Sequence, residues 1–360
     1  MTDPTLRAPD LGAWRVPTRA ARMLWENVHL EGASVRLPEV VLPTAEIEDQ
    51  LRPLYRKLGF KPGWVEAVTG ISERRLWAPG VTAISAATDA ARQALAEAGV
   101  SAAEVQAVVS CSVYKGRLEP SIACEVQGAL GVGQHALNFD VGNACLGFLT
   151  GLQVVANMIA LGQIDVGLVV SGEDAAPVLD ATVARLHAPD ADIHLFKDNL
   201  ATLTLGSAAA AVVLVSARRA RSARRLLGGV TLSAAQHHDL CVGDARGMVT
   251  DSVKLLREGV ALAGRTWSEF SDVLGWQLGD VNTAALHQVG KAHHDTVVRH
   301  LGLDQDRAPQ IYPWLGNAGS CGVPVTAILA RDQGRVHPGD RMALMGIGSG
   351  LNCAMMGVLW

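Results

Sequence analysis

Cys145 stands in the stretch DVGNACLGFLTG, where a short strand ending near Asp140 gives way through a polar turn to an apolar helix. A thiol at the first turn of a helix meets the partial positive charge of the helix N-terminus, which favours the thiolate, the nucleophilic form. Gly142, Gly147 and Gly151 allow close backbone approach around that turn. The other reading of Cys145 is a small side chain filling a core. Cys111, Cys124, Cys241, Cys321 and Cys353 lack this turn and read as core or incidental residues.

His287 closes an apolar strand in AALHQVGKAHH. An imidazole at the C-terminal end of a strand lies where α/β folds place ligands, although a hydrogen-bonded structural histidine fits the same position. His293 and His294 lack both the H-E-x-x-H pattern and a third ligand, so a zinc site is rejected. Asn317 sits in the glycine-rich PWLGNAGSCGVP ahead of an apolar helix, a place that also suits a turn or capping residue. GIGSGLN carries three spaced glycines after a strand. The chain ends at Trp360, too soon after Gly350 for a βαβ unit, which disfavours dinucleotide binding.

The elements that must position these groups alternate between strand and helix. Strands are expected at Val105–Tyr114, Ala136–Asp140, Asp165–Ser171 and Ala209–Ser216, then at Val281–Leu286, Arg341–Gly346 and Asn352–Leu359. Helices are expected at Pro120–Leu130, at Leu146–Leu161 and from His287 to about His300. The last third repeats the grammar of the first part, which argues for α/β layers built from two related halves. The join falls near Ala217–Arg225, where ARRARSARR reads as a solvated connector or as a docking patch for anionic carrier groups.

Composition narrows the classes. At 49% hydrophobic and 18% charged, the chain must bury a large core, which excludes a disordered or fibrous class. At a net charge of −4, nothing in the bulk electrostatics marks a nucleic-acid binder, and none is expected as a partner. Six cysteines without a C-x-x-C pair point to reduced thiols in a cytoplasm, and the first residues lack the apolar core of a secretory leader. The charge-free stretch between Asp140 and Asp165 is long enough to span a bilayer. It carries Asn143, Thr150, Gln153, Asn157 and Gln163, so a helix buried in protein is expected and no integral membrane segment.

In combination, Cys145, His287, Asn317 and the C-terminal GIGSG resemble the thiolase superfamily, and more narrowly its β-ketoacyl-ACP synthase III branch. The resemblance runs from TGISERR (Thr69–Arg75) through Leu359. GRLEPSIACEVQ with Glu119, NACLG and KDNLATLTLGSAA make it similar to OleA-type head-to-head acyl-CoA condensing enzymes of olefin and β-lactone biosynthesis. This resemblance implies a thiolase-like α/β fold with two pseudo-repeated halves in αβαβα layers, working as a homodimer. Residues 1–30 would be an N-terminal extension, 31–220 the half carrying Cys145, and 221–360 the half carrying His287 and Asn317. Two departures stand out. Gly290 replaces the Asn of an H-Q-x-N motif, and of a Trp and Arg pair at the substrate's adenine only Trp64 remains, with Val68 at the Arg position.

The same resemblance implies a non-decarboxylative Claisen condensation of two long-chain fatty acyl-CoAs to a β-ketoacyl product or β-keto acid. Cys145 would carry the acyl group, and His287 and Asn317 would hold the thioester oxygen of the second substrate. The backbone N–H groups of Cys145 and Gly350 would form the oxyanion site. Glu119, which in the family enters the partner subunit's active site, would be the α-carbon base; read alone, it is an acidic residue favouring a helix N-terminus. No metal or redox cofactor is implied, only coenzyme A thioesters as substrates, with downstream pathway enzymes as further partners. The alternatives are decarboxylative condensation with malonyl-ACP, a cysteine acyl-CoA thioesterase, and a non-catalytic partner subunit.

Overall fold

The computed structural model describes residues 21–244 and 247–360. The strands are β1 (Ala21–Leu24), β2 (Val28–Arg36), β3 (Val40–Pro43), β4 (Glu73–Leu76), β5 (Ala107–Ser110), β6 (Leu137–Asp140) and β7 (Val166–Glu173). They continue with β8 (Ala208–Ser216), β9 (Arg225–Ser233), β10 (Cys241–Asp244), β11 (Gly247–Thr250), β12 (Thr283–Leu286), β13 (Arg341–Gly348) and β14 (Asn352–Leu359). Hydrogen bonding orders the main sheet β12-β13-β14-β9-β2-β8-β7-β5-β6, with β1 also paired to β9.

The order contains a repeat. In β2-β8-β7-β5 the first two junctions are antiparallel and the third parallel, and β9-β14-β13-β12 has the same sequence of directions. The two runs are joined where His29 pairs with Arg225 and Leu30 N donates to the Arg224 carbonyl at 3.1 Å. Helices follow the same rule. Ala83–Ala98, Ile122–Leu130 and Gly147–Ala160 in the first half correspond to Ser252–Leu274, Lys291–Leu301 and Gly322–Asp332 in the second.

Burial follows from residue type. β7 and β8 are apolar runs, buried along their whole length, as strands covered on both faces must be. Phe148, Leu149 and Leu152 of one central helix and Val323, Val325 and Ile328 of the other share a core with strands of both halves. Each large side chain of this kind stabilises the fold by roughly 1.5–3 kcal/mol. The helices Ala83–Ala98 and Ile122–Leu130 cover the outer face of the first half. Ser252–Leu274 and Lys291–Leu301 cover that of the second, which completes αβαβα layers.

The expected elements are present with shifted ends: the long strand at Val105–Tyr114 is confined to β5, the helix expected from Pro120 begins at Ile122, and β7 and β13 run on to Glu173 and Gly348. The extension placed at residues 1–30 overlaps the sheet, because β1 pairs β9 and β2 pairs β8. The part of it before Ala21 lies outside the described residues. The arginine connector is tethered. Arg218 meets Asp165, Arg219 meets Glu104, and Arg224 meets Glu97, so these charges are occupied within the chain.

Candidate active site

The chemistry-bearing residues gather at the C-terminal ends of β6, β7, β12 and β13. Cys145 lies in a single 3₁₀ turn, Ala144–Leu146, directly ahead of the helix Gly147–Ala160. Ala144 takes φ +44°, a left-handed conformation that turns the chain sharply between strand and helix. Asn143 braces the turn on both sides: its Nδ2 donates to Thr150 Oγ1 at 2.9 Å, and its Oδ1 accepts from Asn352 Nδ2 at 3.2 Å. Two glycines make room behind it. A Cβ at Gly147 would stand 2.4 Å from the Cys111 carbonyl oxygen, and one at Gly151 would stand 2.3 Å from Cys111 Sγ.

Cys145 is half-buried. The expectation of a thiol drawn down by the helix N-terminus is reversed, because burial, with Glu173 and Cys241 nearby, pushes it up to about 12. The thiol is therefore held protonated until it is deprotonated in use.

His287 follows β12, and its backbone N–H donates to the Met345 carbonyl at 2.8 Å. Far from exposed, the residue is only 3% accessible. Nδ1 is buried without a hydrogen-bond partner and faces Gly322, where a Cβ would stand 3.2 Å away. Gly322 opens the helix Gly322–Asp332, whose positive end favours a lone pair on Nδ1 and leaves the proton on Nε2. Burial, with His293 beside it, lowers the imidazole to about 3. The rings of His287 and His293 stand edge to face at 6.1 Å. His287 is thus a neutral hydrogen-bond donor and not a cation. Among the described residues no group of three or more His, Cys, Asp or Glu is arranged to hold a metal.

Asn317 is pinned by its backbone. Its N–H donates to the Thr204 carbonyl at 2.8 Å, and its carbonyl accepts from Gly206 N at 2.9 Å. The LTLGSAA stretch thus forms the wall on which this turn hangs. Asn317 Oδ1 accepts from Gly319 N at 3.1 Å, which leaves the side-chain amide N–H groups to donate elsewhere. The turn Gly319–Cys321 packs against the Cys145 turn.

Glu119 is exposed on the loop between β5 and the helix Ile122–Leu130. The helix-capping role read for it belongs to other residues: Ser121 Oγ accepts from Cys124 N, and Asp140 accepts from Ile122 N and Ala123 N. Within one chain Glu119 is not brought into the Cys145 site. Gly350, at φ +135°, follows β13 and lies against the Asn352 side chain. Trp64 stacks on Phe60 at 4.6 Å in an aromatic cluster with Phe196, while Val68 is exposed. Gly290 cannot carry the missing Asn, because a Cβ there would stand 2.7 Å from the Thr69 carbonyl oxygen.

Reading of the sequence missed Glu173, the buried last residue of β7. Its carboxylate accepts from Val113 N at 2.9 Å, Tyr114 N at 3.0 Å and Ser320 Oγ at 2.6 Å. Burial raises its pKa, and the hydrogen bonds from Ser320, Val113 and Tyr114 oppose the rise. SGED carries no motif; only the strand-end position gives a signal.

A repeated five-layer α/β fold with a cysteine at the head of one central helix, and a neutral histidine and an asparagine at the head of the other, defines a condensing enzyme of the thiolase superfamily. The sequence matches 3-oxoacyl-[acyl-carrier-protein] synthase III over residues 139–231 and the C-terminal part of that family over residues 272–360. It is 41% identical to an acyl-CoA:acyl-CoA alkyltransferase of Xanthomonas campestris pv. campestris, over 94% of this chain and 100% of that protein. The protein of the same name from Shewanella oneidensis is also 41% identical, over 94% of this chain and its own whole length. The crystal structure of cerulenin-bound Xanthomonas campestris OleA superposes with a TM-score of 0.91 at 41% identity, covering 94% of this chain and 98% of that one. The chain belongs to this OleA-type branch of the 3-oxoacyl-[acyl-carrier-protein] synthase III family. A variant of the Xanthomonas campestris protein has been solved with bound lauric acid and lauroyl-CoA, at 40% identity and TM-score 0.91 over 94% of this chain and 100% of that one.

Proposed function

We propose that this chain condenses two long-chain fatty acyl-CoAs head to head, without loss of CO₂. The Cys145 thiolate attacks the first acyl-CoA carbonyl, and coenzyme A leaves as the thiol. Glu119 of the partner subunit then takes an α-proton from the second acyl-CoA, and the carbanion attacks the Cys145 thioester. Collapse of the adduct returns the Cys145 thiolate and releases a β-ketoacyl-CoA, which water hydrolyses to a β-keto acid and coenzyme A.

His287 Nε2–H and the Asn317 amide donate to the enolate oxygen of the second substrate. The N–H groups of Cys145 and Gly350 donate to the oxyanion on the acyl-enzyme. Preorganised donors of this kind are each worth about 3–4 kcal/mol in a dry site. A neutral His287 suits its role, since it donates without needing a counter-charge. The mechanism draws on no metal or redox cofactor.

The observation that carries the non-decarboxylative reading is the freedom of Glu119. Ser121 and Asp140 cap the neighbouring helix, so the exposed carboxylate has no structural task there. A homodimer would give it one. β6 is an edge strand with one side open, Leu137 on it is 54% exposed, and Leu118 beside Glu119 is 95% exposed. No helix among the described residues is long and apolar enough to cross a membrane. All six cysteines are free, which fits the cytoplasm.

The test is to mix the protein with lauroyl-CoA alone and follow both half-reactions. Intact mass should show an acyl adduct on Cys145, and chromatography a β-keto acid or the ketone formed from it. A need for a malonyl donor would return decarboxylative condensation to first place, and free fatty acid as the sole product would indicate a thioesterase.

A further inference from the structure

The internal repeat pairs Cys145 with a second residue. Gly319–Cys321 is a 3₁₀ turn leading into Gly322–Asp332, as Ala144–Leu146 leads into Gly147–Ala160, so Ser320 is the counterpart of Cys145. Gly319 at φ +54° matches Ala144 at +44°. Cys111 is likewise the counterpart of His287: each follows a strand, and their N–H groups donate to Val170 and Met345, both at 2.8 Å. β7 and β13 are counterparts too, and their last residues are Glu173 and Gly348.

The two halves differ at this last pair. Gly348 has no side chain and leaves the Cys145 turn open. Glu173 fills the corresponding space, with Ser320 N donating to Oε1 at 3.3 Å and Ser320 Oγ at 2.6 Å. The carboxylate thus occupies, against the Ser320 N–H, the position that a substrate oxyanion would take against the Cys145 N–H. The same carboxylate accepts from Val113 N and Tyr114 N, the root of the Glu119 loop. A Cβ at Gly319 would stand 3.1 Å from Glu173 Cδ, so the Asn317 turn is packed directly on it.

We propose that Glu173 is a positioning residue for carbon–carbon bond formation, tying the root of the Glu119 loop and the Asn317 turn to one strand end. The proposal rests on the roles given above to Glu119 and Asn317. Both loops serve the second half-reaction. First acylation uses Cys145 and the backbone donors at the other turn, which Glu173 reaches through its charge beside the thiol and not through a hydrogen bond. Carboxylate geometry matters because all four donors point at it; an amide would turn an N–H group toward at least one of them.

The test compares Glu173→Gln and Ser320→Ala with the unaltered protein, using lauroyl-CoA under single-turnover conditions. Cys145 acylation, read by intact mass, should not slow for Glu173→Gln, since loss of the charge beside the thiol favours the thiolate, while the rate of coupled product falls by about 10²-fold, as expected for misplaced groups. Ser320→Ala removes one donor to Glu173, together with the 2.6 Å contact to Ser171 Oγ, and carries the test should Glu173→Gln fail to fold. Retention of both rates, or an equal fall in both, would overturn the proposal. Glu119→Gln and Asn317→Ala are run alongside. Full product from those two variants would mean that the underlying reading has failed; loss of product from them with normal coupling in Glu173→Gln would mean that only the positioning role has.

Discussion

The backbone nitrogen of Cys145 lies against Gly348 so closely that a Cβ on the glycine would stand 3.3 Å from it and 3.4 Å from Leu146 N. The N–H proposed to hold the oxyanion is therefore set by the end of a strand from the other half of the chain. Gly348→Ala should push the Cys145 turn by a few tenths of an ångström. Acylation by lauroyl-CoA should slow by about tenfold or more, with a far smaller effect on thermal stability. Stopped-flow release of coenzyme A measures the first, a melting curve the second.

Cys145→Ser should abolish both the acyl-enzyme and the condensation product while the fold persists, because the serine hydroxyl is a far weaker acid than the thiol. The raised thiol adds a pH signature. Iodoacetamide labelling of Cys145 should accelerate by about tenfold per pH unit from pH 7 to 9 without a plateau, since the thiolate fraction is still rising there. A plateau below pH 9 would contradict a thiol near 12.

His287→Ala and Asn317→Ala each remove a donor to the enolate. Condensation should slow by about 10²-fold or more, with a weaker effect on first acylation. Single-turnover rates for the two half-reactions, measured on one sample, separate these effects. Equal condensation by wild type and His287→Ala would refute the assigned role.

Glu119→Gln should keep Cys145 acylation and lose coupled product. A decarboxylating synthase obtains its carbanion from CO₂ loss, whereas this reaction must remove a weakly acidic α-proton. Gln is nearly isosteric and Glu119 is exposed, so the fold should be unaffected. Acyl-enzyme by mass and product by chromatography decide the matter; wild-type product yield would remove Glu119 from the mechanism.

Burial lowers His287 to about 3 and His293 to about 4, against an ordinary value near 6.5. The unfolded chain therefore binds more protons than the folded one below pH 6.5, and stability falls as pH drops toward these values. Each imidazole should cost about 2 kcal/mol by pH 5. Urea unfolding at pH 7 and pH 5 tests this. His293→Gln should show a shallower loss than wild type, and an unchanged pH dependence would argue against a buried neutral His293.

Cys145, His287 and Asn317 were legible because each stands at a strand end or helix start, inside a local glycine-rich or apolar pattern that a short window contains. The alternation of strand and helix, and its recurrence in the second half, were legible for the same reason. β1 and β2 were not recognised as part of the sheet. Their place depends on pairing with β8 and β9, some two hundred residues away in the chain. The arginine run showed its charge but not its partners, since Glu97, Glu104 and Asp165 arrive from other elements.

The order of Cys145, His287, Asn317 and GIGSG along the chain was enough to choose the reaction class, through the resemblance to synthase III enzymes that this order carries. Tertiary structure alone decided their electrostatic state. It half-buried a thiol expected to be acidic, sealed a histidine expected to be open, and aimed at Glu173 donors from positions 113, 114 and 320. Desolvation and hydrogen-bond geometry are properties of surroundings assembled from distant segments, so no local stretch of sequence contains them.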